Sequence, residues 1–95
     1  MKRIYNISYD LNKTGKDYQG LYKELKNTYE WNHPLDSTWL LFTAESPNQI
    51  WDRVRSHIDK DDNILIAEIT TNYSGWLPKD VWTWISQRIP QTIYR

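Results

Sequence analysis

Apolar and polar residues alternate at the start of the chain, in residues 3–9 (RIYNISY). Because successive side chains of a strand point to opposite faces, this alternation predicts a β-strand, and the β-branched and aromatic residues favour it further. Apolar residues then recur at a helical spacing, at Tyr18, Leu21, Tyr22 and Leu25. Thr14 and Asp17 fit a capping box, which predicts a helix from about residue 15 to residue 27. Gly20 inside this helix is interpreted as a mark of close packing.

The next segment predicts a β-hairpin. Residues 28–33 (TYEWNH) alternate weakly, and residues 38–44 (TWLLFTA) carry a stronger strand pattern. Pro34, Asp36 and Ser37 lie between the two runs and are typical of turns. The pattern therefore places two strands side by side with a short connection.

Two further helices and one strand follow. A second capping box, with proline at the first helical position, opens a helix at Ser46–Gln49, and its apolar stripe contains Ile50, Val54 and Ile58. Residues 64–70 (ILIAEIT) form a nearly continuous apolar run, as expected for a central strand. A last helix opens near Pro78, and one face of it contains Val81, Trp82, Ile85 and Ile89. We also expect Trp51, and Trp82 or Trp84, to be substantially buried.

The resulting order, β-α-β-β-α-β followed by a C-terminal helix, predicts an α+β fold in a single domain, residues 1–95. It is the order of the ferredoxin-like split βαβ motif, in which a four-stranded antiparallel sheet carries two helices on one face. The other face is open unless the last helix or a second subunit covers it. Because an exposed sheet face with Tyr and Trp side chains is unfavourable in water, we expect a homodimer.

Charge and aromatic content narrow the classes of function. The 12 Lys and Arg residues balance 12 Asp and Glu residues, which argues against binding of nucleic acid by bulk electrostatics. Residues 1–29 nevertheless carry six basic and three acidic residues, a net +3 that leaves −3 for the remainder, so a local basic patch near the first helix stays open. Six Trp and seven Tyr suit a core with a self-association surface, or stacking on bases.

The absence of cysteine excludes disulfides, zinc thiolate sites and cysteine nucleophiles. No apolar run approaches the roughly 18 residues of a membrane span, and the start of the chain (MKRIYNISYD) is too short and too polar for a signal peptide. We therefore expect a cytoplasmic protein with no membrane partner.

Asp10 closes the first predicted strand and has two interpretations. A carboxylate there could hold a divalent cation such as Mg²⁺, which needs only one or two carboxylates besides water, and two copies across a dimer axis could share one ion. Alternatively, Asp10 is a turn residue that accepts hydrogen bonds from nearby backbone N–H groups. Lys13 and Lys16 follow near the helix start, where they and the helix amides could bind phosphate or form a solvated basic turn.

Two other groups of residues that could bind a metal or act in catalysis are not predicted to form a site. The acidic turn at residues 59–62 (DKDD) resembles the opening of a calcium loop, but Ile64 and Thr70 occupy the positions where that loop needs Gly and Glu. A turn that ends the preceding helix is predicted instead. His33 and His57 lie in different predicted elements, and we expect both at the surface.

Three features together resemble a known group of small proteins. The first strand ends at Tyr9-Asp10, the elements follow the β-α-β-β-α-β order, and an acidic turn leads directly into the fourth strand (DKDDNILIAEI, 59–69). In these features the chain resembles the CRISPR-associated spacer-acquisition protein Cas-two and the VapD-type ribonucleases. Its tail (GWLPKDVW, 75–82) is most similar to the SinR family. The resemblance implies a homodimer with facing sheets, and in nuclease members the residue matching Asp10 is the proposed metal ligand.

Two functions are therefore open from the sequence. The first is a small homodimeric interaction module without catalytic activity, from a defence or toxin–antitoxin system, that binds a protein partner and needs no cofactor. The alternative is a metal-dependent nuclease that acts on RNA or DNA through paired Asp10 residues, with Mg²⁺ or Mn²⁺ as its cofactor and with Lys13 and Lys16 holding phosphate.

Overall fold

The computed structural model describes residues 1–12 and 18–89. In chain order the elements are β1 (Arg3–Asp10), α1 (Gln19–Lys26), β2 (Glu30–Leu35), β3 (Thr38–Thr43), α2 (Pro47–Val54), β4 (Asn63–Ile69) and α3 (Lys79–Arg88). A short 3₁₀ turn, Arg55–His57, follows α2. The strands form one four-stranded antiparallel sheet in the order β2-β3-β1-β4, so the prediction of an α+β fold is confirmed.

The first face of the sheet packs against α1 and α2. The main core lies between them and contains Tyr5, Ile7, Leu21, Leu25, Trp39, Leu41, Ile50 and Val54. Trp39 is only 1 % exposed, and it is among the largest fully buried side chains. Trp51, by contrast, is only partly buried and packs against the edge of this core. Trp82 and Trp84 of α3 are also only partly buried, and they border a second apolar cluster beneath that helix.

The second capping box forms as predicted. The Ser46 hydroxyl accepts a hydrogen bond from the Gln49 backbone N–H at 3.1 Å, and the Gln49 side-chain oxygen accepts one from the Ser46 N–H at 2.8 Å. Pro47 occupies the start of α2, where no helical hydrogen bond needs its missing N–H. Local sequence therefore determines where α2 begins.

The second face of the sheet is covered at one end by α3. Ile4 of β1 and Leu40 of β3 pack there against Val81, Ile85 and Ile89, which confirms the apolar face predicted for the last helix. The guanidinium of Arg88 also contacts Glu30 of β2 at 2.9 Å, which ties the end of α3 to the sheet. Of the two covers expected for this face, the C-terminal helix and a second subunit, the C-terminal helix therefore supplies this part.

The expectation of an open sheet face rich in Tyr and Trp is wrong. Strand alternation turns Tyr5 and Trp39 toward α1 and α2. The part of the second face that α3 leaves uncovered carries the half-buried polar residues Asn6, Ser8 and Thr38 instead. The sequence pattern therefore predicts these Tyr and Trp side chains on the wrong face of the sheet.

β4 lies at an edge of the sheet, so the prediction of a central strand is wrong. Its sequence is nearly continuously apolar because both of its faces receive some packing. Ile64 and Ile66 contact the core on the first face, and Ile69 contacts the core under α3. Leu65 has no such cover and is 64 % exposed.

Two element boundaries also differ from the predictions. β2 runs to Leu35 and includes Pro34, which was expected in the turn. β2 is an edge strand whose register with β3 shifts between Asn32 and Leu35, and proline is tolerated at such positions. α1 begins at Gln19 with Tyr18 as its N-cap, later than predicted; the predicted capping box of Thr14 and Asp17 lies outside the described residues.

None of the helices in the described part of the chain has the length and hydropathy that a membrane span requires.

Candidate functional site

A groove of about 350 Å³ lies where α3, the second face of the sheet and the segment before α3 meet; it is called the second-face groove below. Leu40, Ile69 and Ile85 give it an apolar lining. Trp76 and Leu35 also line it, and they are 97 % and 51 % exposed. An almost fully exposed indole beside an apolar groove is unusual for a water-facing surface and indicates a binding surface.

The segment before α3 holds Trp76 in this position. Tyr73 stacks on Trp82 with 6.0 Å between ring centroids and 14° between planes. Leu77 packs against the core under α3. Because the residues on both sides of Trp76 contact the body of the protein, its indole is presented from a segment that is attached at both ends.

Asp10 lies at the end of β1, opposite Asn63 of β4. Strand alternation from Asn6 and Ser8 places it on the second face, and its side chain is exposed. Within residues 1–12 and 18–89, no group of three His, Asp or Glu side chains is arranged to hold a metal ion. Lys13 and Lys16, the predicted phosphate-binding residues, lie outside the described residues. A paired Asp10 site across a dimer stays a prediction.

Asp62 makes the turn contacts that one interpretation assigned to Asp10. Its carboxylate accepts hydrogen bonds from the backbone N–H of Asn12 at 2.7 Å and of Asp59 at 2.8 Å. The Tyr18 hydroxyl donates to both carboxylate oxygens, at 2.7 and 2.8 Å. Asp62 is 8 % exposed, so this buried acid joins the end of β1, the start of α1 and the turn before β4. The turn predicted at residues 59–62 is confirmed, and its backbone closes with a hydrogen bond from the Asp62 N–H to the Asp59 carbonyl at 3.0 Å.

Arg53 forms a second polar junction, between the two helices on the first face. Its guanidinium contacts Glu45 at 2.8 and 3.0 Å, and it also donates to the Glu24 carbonyl and to the Thr28 hydroxyl. Burial raises the pKa of Glu45, but the hydrogen bonds and positive charge of Arg53 outweigh it and hold that pKa below its ordinary value. These contacts supply hydrogen-bond donors to acceptor oxygens at the end of α1. The junction is therefore structural.

Aromatic side chains line a pocket of about 330 Å³ between α1 and the β2–β3 hairpin, called the aromatic pocket below. Its lining includes the rings of Tyr9, Tyr22, His33 and Trp39, together with Lys26 and Asp36. Trp39 lies nearly parallel to His33 (4.0 Å, 14°) and to Tyr22 (6.3 Å, 16°). Sequence reasoning did not predict this pocket, because its residues come from β1, α1, β2, β3 and the hairpin turn with no shared spacing.

Hydrogen bonds hold the rings of the aromatic pocket in place. The Trp39 indole N–H donates to the Tyr9 hydroxyl at 2.9 Å, and that hydroxyl donates to the Asp36 carbonyl at 3.3 Å. Burial raises the pKa of Tyr9 above its ordinary value, the Trp39 hydrogen bond opposes this, and nearby Tyr22 and Asp36 add to the rise. Tyr9 therefore stays protonated near neutral pH and keeps its donor role.

The two histidines differ in their surroundings. His33 is exposed in β2, and its Nε2 lies 3.2 Å from the Asp36 carbonyl oxygen. A carbonyl only accepts, so Nε2 is the donor in this contact, and in the neutral tautomer that makes it, Nδ1 is an acceptor. His57 is partly buried and packs on Gly20.

Comparisons of the chain with protein-family models, with curated proteins and with solved structures found no match.

Proposed function

We propose that this chain is a small interaction module without catalytic activity, which works as a homodimer joined through the second face of its sheet. The observation that carries the proposal is Trp76, 97 % exposed beside the second-face groove. A solvent-exposed indole next to an apolar groove gains free energy when both are covered.

A second copy of the chain suits this surface because the surface has both a projection and a groove. In a two-fold dimer the same patch meets itself, so each Trp76 can lie against the groove of its partner. Leu65, which is 64 % exposed, adds to the patch, because its cross-strand neighbour Ser8 belongs to the second face. The formal net charge of zero removes long-range repulsion between two copies.

The finer fold assignment belongs to the same proposal. The element order β-α-β-β-α-β and the sheet order β2-β3-β1-β4 support a ferredoxin-like split βαβ fold with α3 as an addition. The resemblance to Cas-two, VapD-type and SinR proteins supports a cytoplasmic role in a defence or toxin–antitoxin system, where the dimer would bind a protein partner.

Light scattering over micromolar concentrations tests the dimer. We expect twice the chain mass for the wild type, and a shift toward the monomer in Trp76→Ala and Leu65→Glu. Tyr29→Ala is the matched control, since Tyr29 is 90 % exposed and does not line the second-face groove. A monomeric wild type, or variants that dimerise as the wild type does, would contradict the proposal.

The alternative is a metal-dependent nuclease, and the position of Asp10 favours it as the second candidate. Asp10 is exposed and strand alternation places it on the second face, so a second-face dimer brings both copies to the same interface. Asp10 would hold Mg²⁺ or Mn²⁺, which supplies an activated water and stabilises charge on the phosphate, and Lys13 and Lys16 would bind the phosphate.

A cleavage assay with DNA and RNA separates the two candidates. We expect no robust cleavage by the wild type with either Mg²⁺ or Mn²⁺. Turnover that is lost in Asp10→Asn but retained in Lys60→Ala would establish the nuclease and replace the first candidate. Lys60 is a suitable control because it is an exposed residue in the turn before β4.

A further inference from the structure

We propose that the aromatic pocket is a binding site for a small planar aromatic anion, such as a mononucleotide or an aromatic carboxylate. The pocket lies on the first face of the sheet, between α1 and the hairpin, and shares no lining residue with the second-face groove. Its volume of about 330 Å³ is near the lower end of the roughly 300–1,000 Å³ found for small-molecule sites.

The ring geometry specifies a flat ligand. His33 and Tyr22 each lie within 16° of parallel to Trp39, so the three rings form an incomplete stack. Trp39 is buried in the middle of this set, whereas His33 is exposed and Tyr22 is partly exposed. Because Trp39 is already covered, a planar ring that enters the pocket would stack on the accessible side of His33 or Tyr22.

The polar groups specify how such a ring would be oriented. Tyr9 is held by Trp39 and by the Asp36 carbonyl, so the pocket wall is fixed before any ligand arrives. Nδ1 of His33 is an acceptor in the neutral ring, and it suits a ligand N–H. These groups recognise the edge of a heterocycle rather than an aliphatic chain.

The charges specify an anion. Lys26 lines the pocket, and its ammonium lies 5.8 Å from the centroid of the Trp31 ring. Among the described residues it has no carboxylate within ion-pair distance, so a ligand can supply the counter-charge. Asp36 lies at the hairpin end and repels a negative group there, which directs the anionic group toward Lys26.

Isothermal titration calorimetry with the wild-type protein tests this site. The probes are adenosine monophosphate and indole-3-acetate as aromatic anions, with adenosine and inorganic phosphate as matched fragments. We expect one saturable site for at least one of the two anions, and which of them binds identifies the class of ligand. Adenosine should bind about threefold more weakly than its monophosphate if the nucleotide is the ligand, and phosphate alone should not bind measurably.

Variants separate this site from the dimer surface. His33→Ala should weaken binding roughly tenfold because it removes a stacking face, and Lys26→Gln should weaken it about threefold because it removes the cation. Trp76→Ala should leave the affinity unchanged, since Trp76 lies in the other groove. Failure of both anions to bind at millimolar concentration, or binding that His33→Ala does not weaken, would overturn the proposal whatever the oligomeric state.

Discussion

A β-carbon at Gly20 would lie 2.6 Å from Nδ1 of His57, closer than real β-carbons come to a non-bonded heavy atom. Glycine at this position therefore lets α1 pack directly against the 3₁₀ turn that follows α2. The interpretation of Gly20 as a mark of close packing is confirmed.

Gly20→Ala should lower the free energy of unfolding by about 1–2 kcal/mol, because the added methyl group forces the His57 ring out of its place. In a His57→Ala background, the same substitution should instead raise stability, by up to about 1 kcal/mol, since alanine is the better helix former. Urea unfolding of the four proteins in this cycle measures both effects. Equal effects of Gly20→Ala in the two backgrounds would show that the contact with His57 is unimportant.

Arg53→Met should destabilise the protein by about 1–3 kcal/mol, because it leaves Glu45 and the end of α1 without their charged donor. Arg55→Met is the matched control. Arg55 is exposed and lies 3.9 Å from Asp52, so its loss should change stability by less than about 0.5 kcal/mol. Similar denaturant midpoints for the two variants would contradict this assignment.

Acidification should weaken the contacts of Arg53 with Glu45. Burial raises the pKa of Glu45 but Arg53 outweighs it, so the folded value lies below the ordinary 4.5. The unfolded chain therefore takes up the proton first. Stability from this pair is present above about pH 4.5 and is lost as the pH falls through the lower folded value.

Glu45→Gln should accordingly show a smaller loss of unfolding free energy between neutral pH and pH 3 than the wild type. Urea titrations at a series of pH values measure the difference. An identical pH dependence in both proteins would mean that other carboxylates account for the acid sensitivity.

Asp62→Ala should cost about 2–4 kcal/mol, because it leaves the backbone N–H groups of Asn12 and Asp59 without their acceptor. Asp61→Ala, one residue away and exposed, should be close to neutral, since it is the Asp61 carbonyl that accepts from Asn12. Thermal unfolding of both variants tests the contrast. Hydrogen exchange at the Asn12 amide adds a local readout and should accelerate only in Asp62→Ala.

The tryptophans should rank by burial. Trp39→Ala should cost about 3–5 kcal/mol, as for other buried large side chains. Trp51→Ala should cost less, because Trp51 is only partly buried, and Trp76→Ala should not lower monomer stability. Denaturant midpoints at concentrations too low for dimerisation give this order, and a Trp51→Ala variant as unstable as Trp39→Ala would contradict it.

Much of the local structure was predictable because neighbouring residues determine it. The Ser46–Gln49 capping box forms within four residues, and the spacing of Val81, Ile85 and Ile89 depends only on the helical repeat. The alternation along residues 3–9 likewise predicted β1, since successive side chains of a strand point to opposite faces. The α+β order follows from these elements alone.

Tertiary structure decided what depends on distant neighbours. An apolar run such as residues 64–70 does not distinguish a central strand from an edge strand, because that depends on which strand pairs with it. The side chain of Asp62 and the rings of the aromatic pocket acquire their roles from residues up to 50 positions away, as in the hydrogen bond from Asn12. Sequence alone thus determined the elements and their order, while packing determined which faces stay open and where the candidate sites lie.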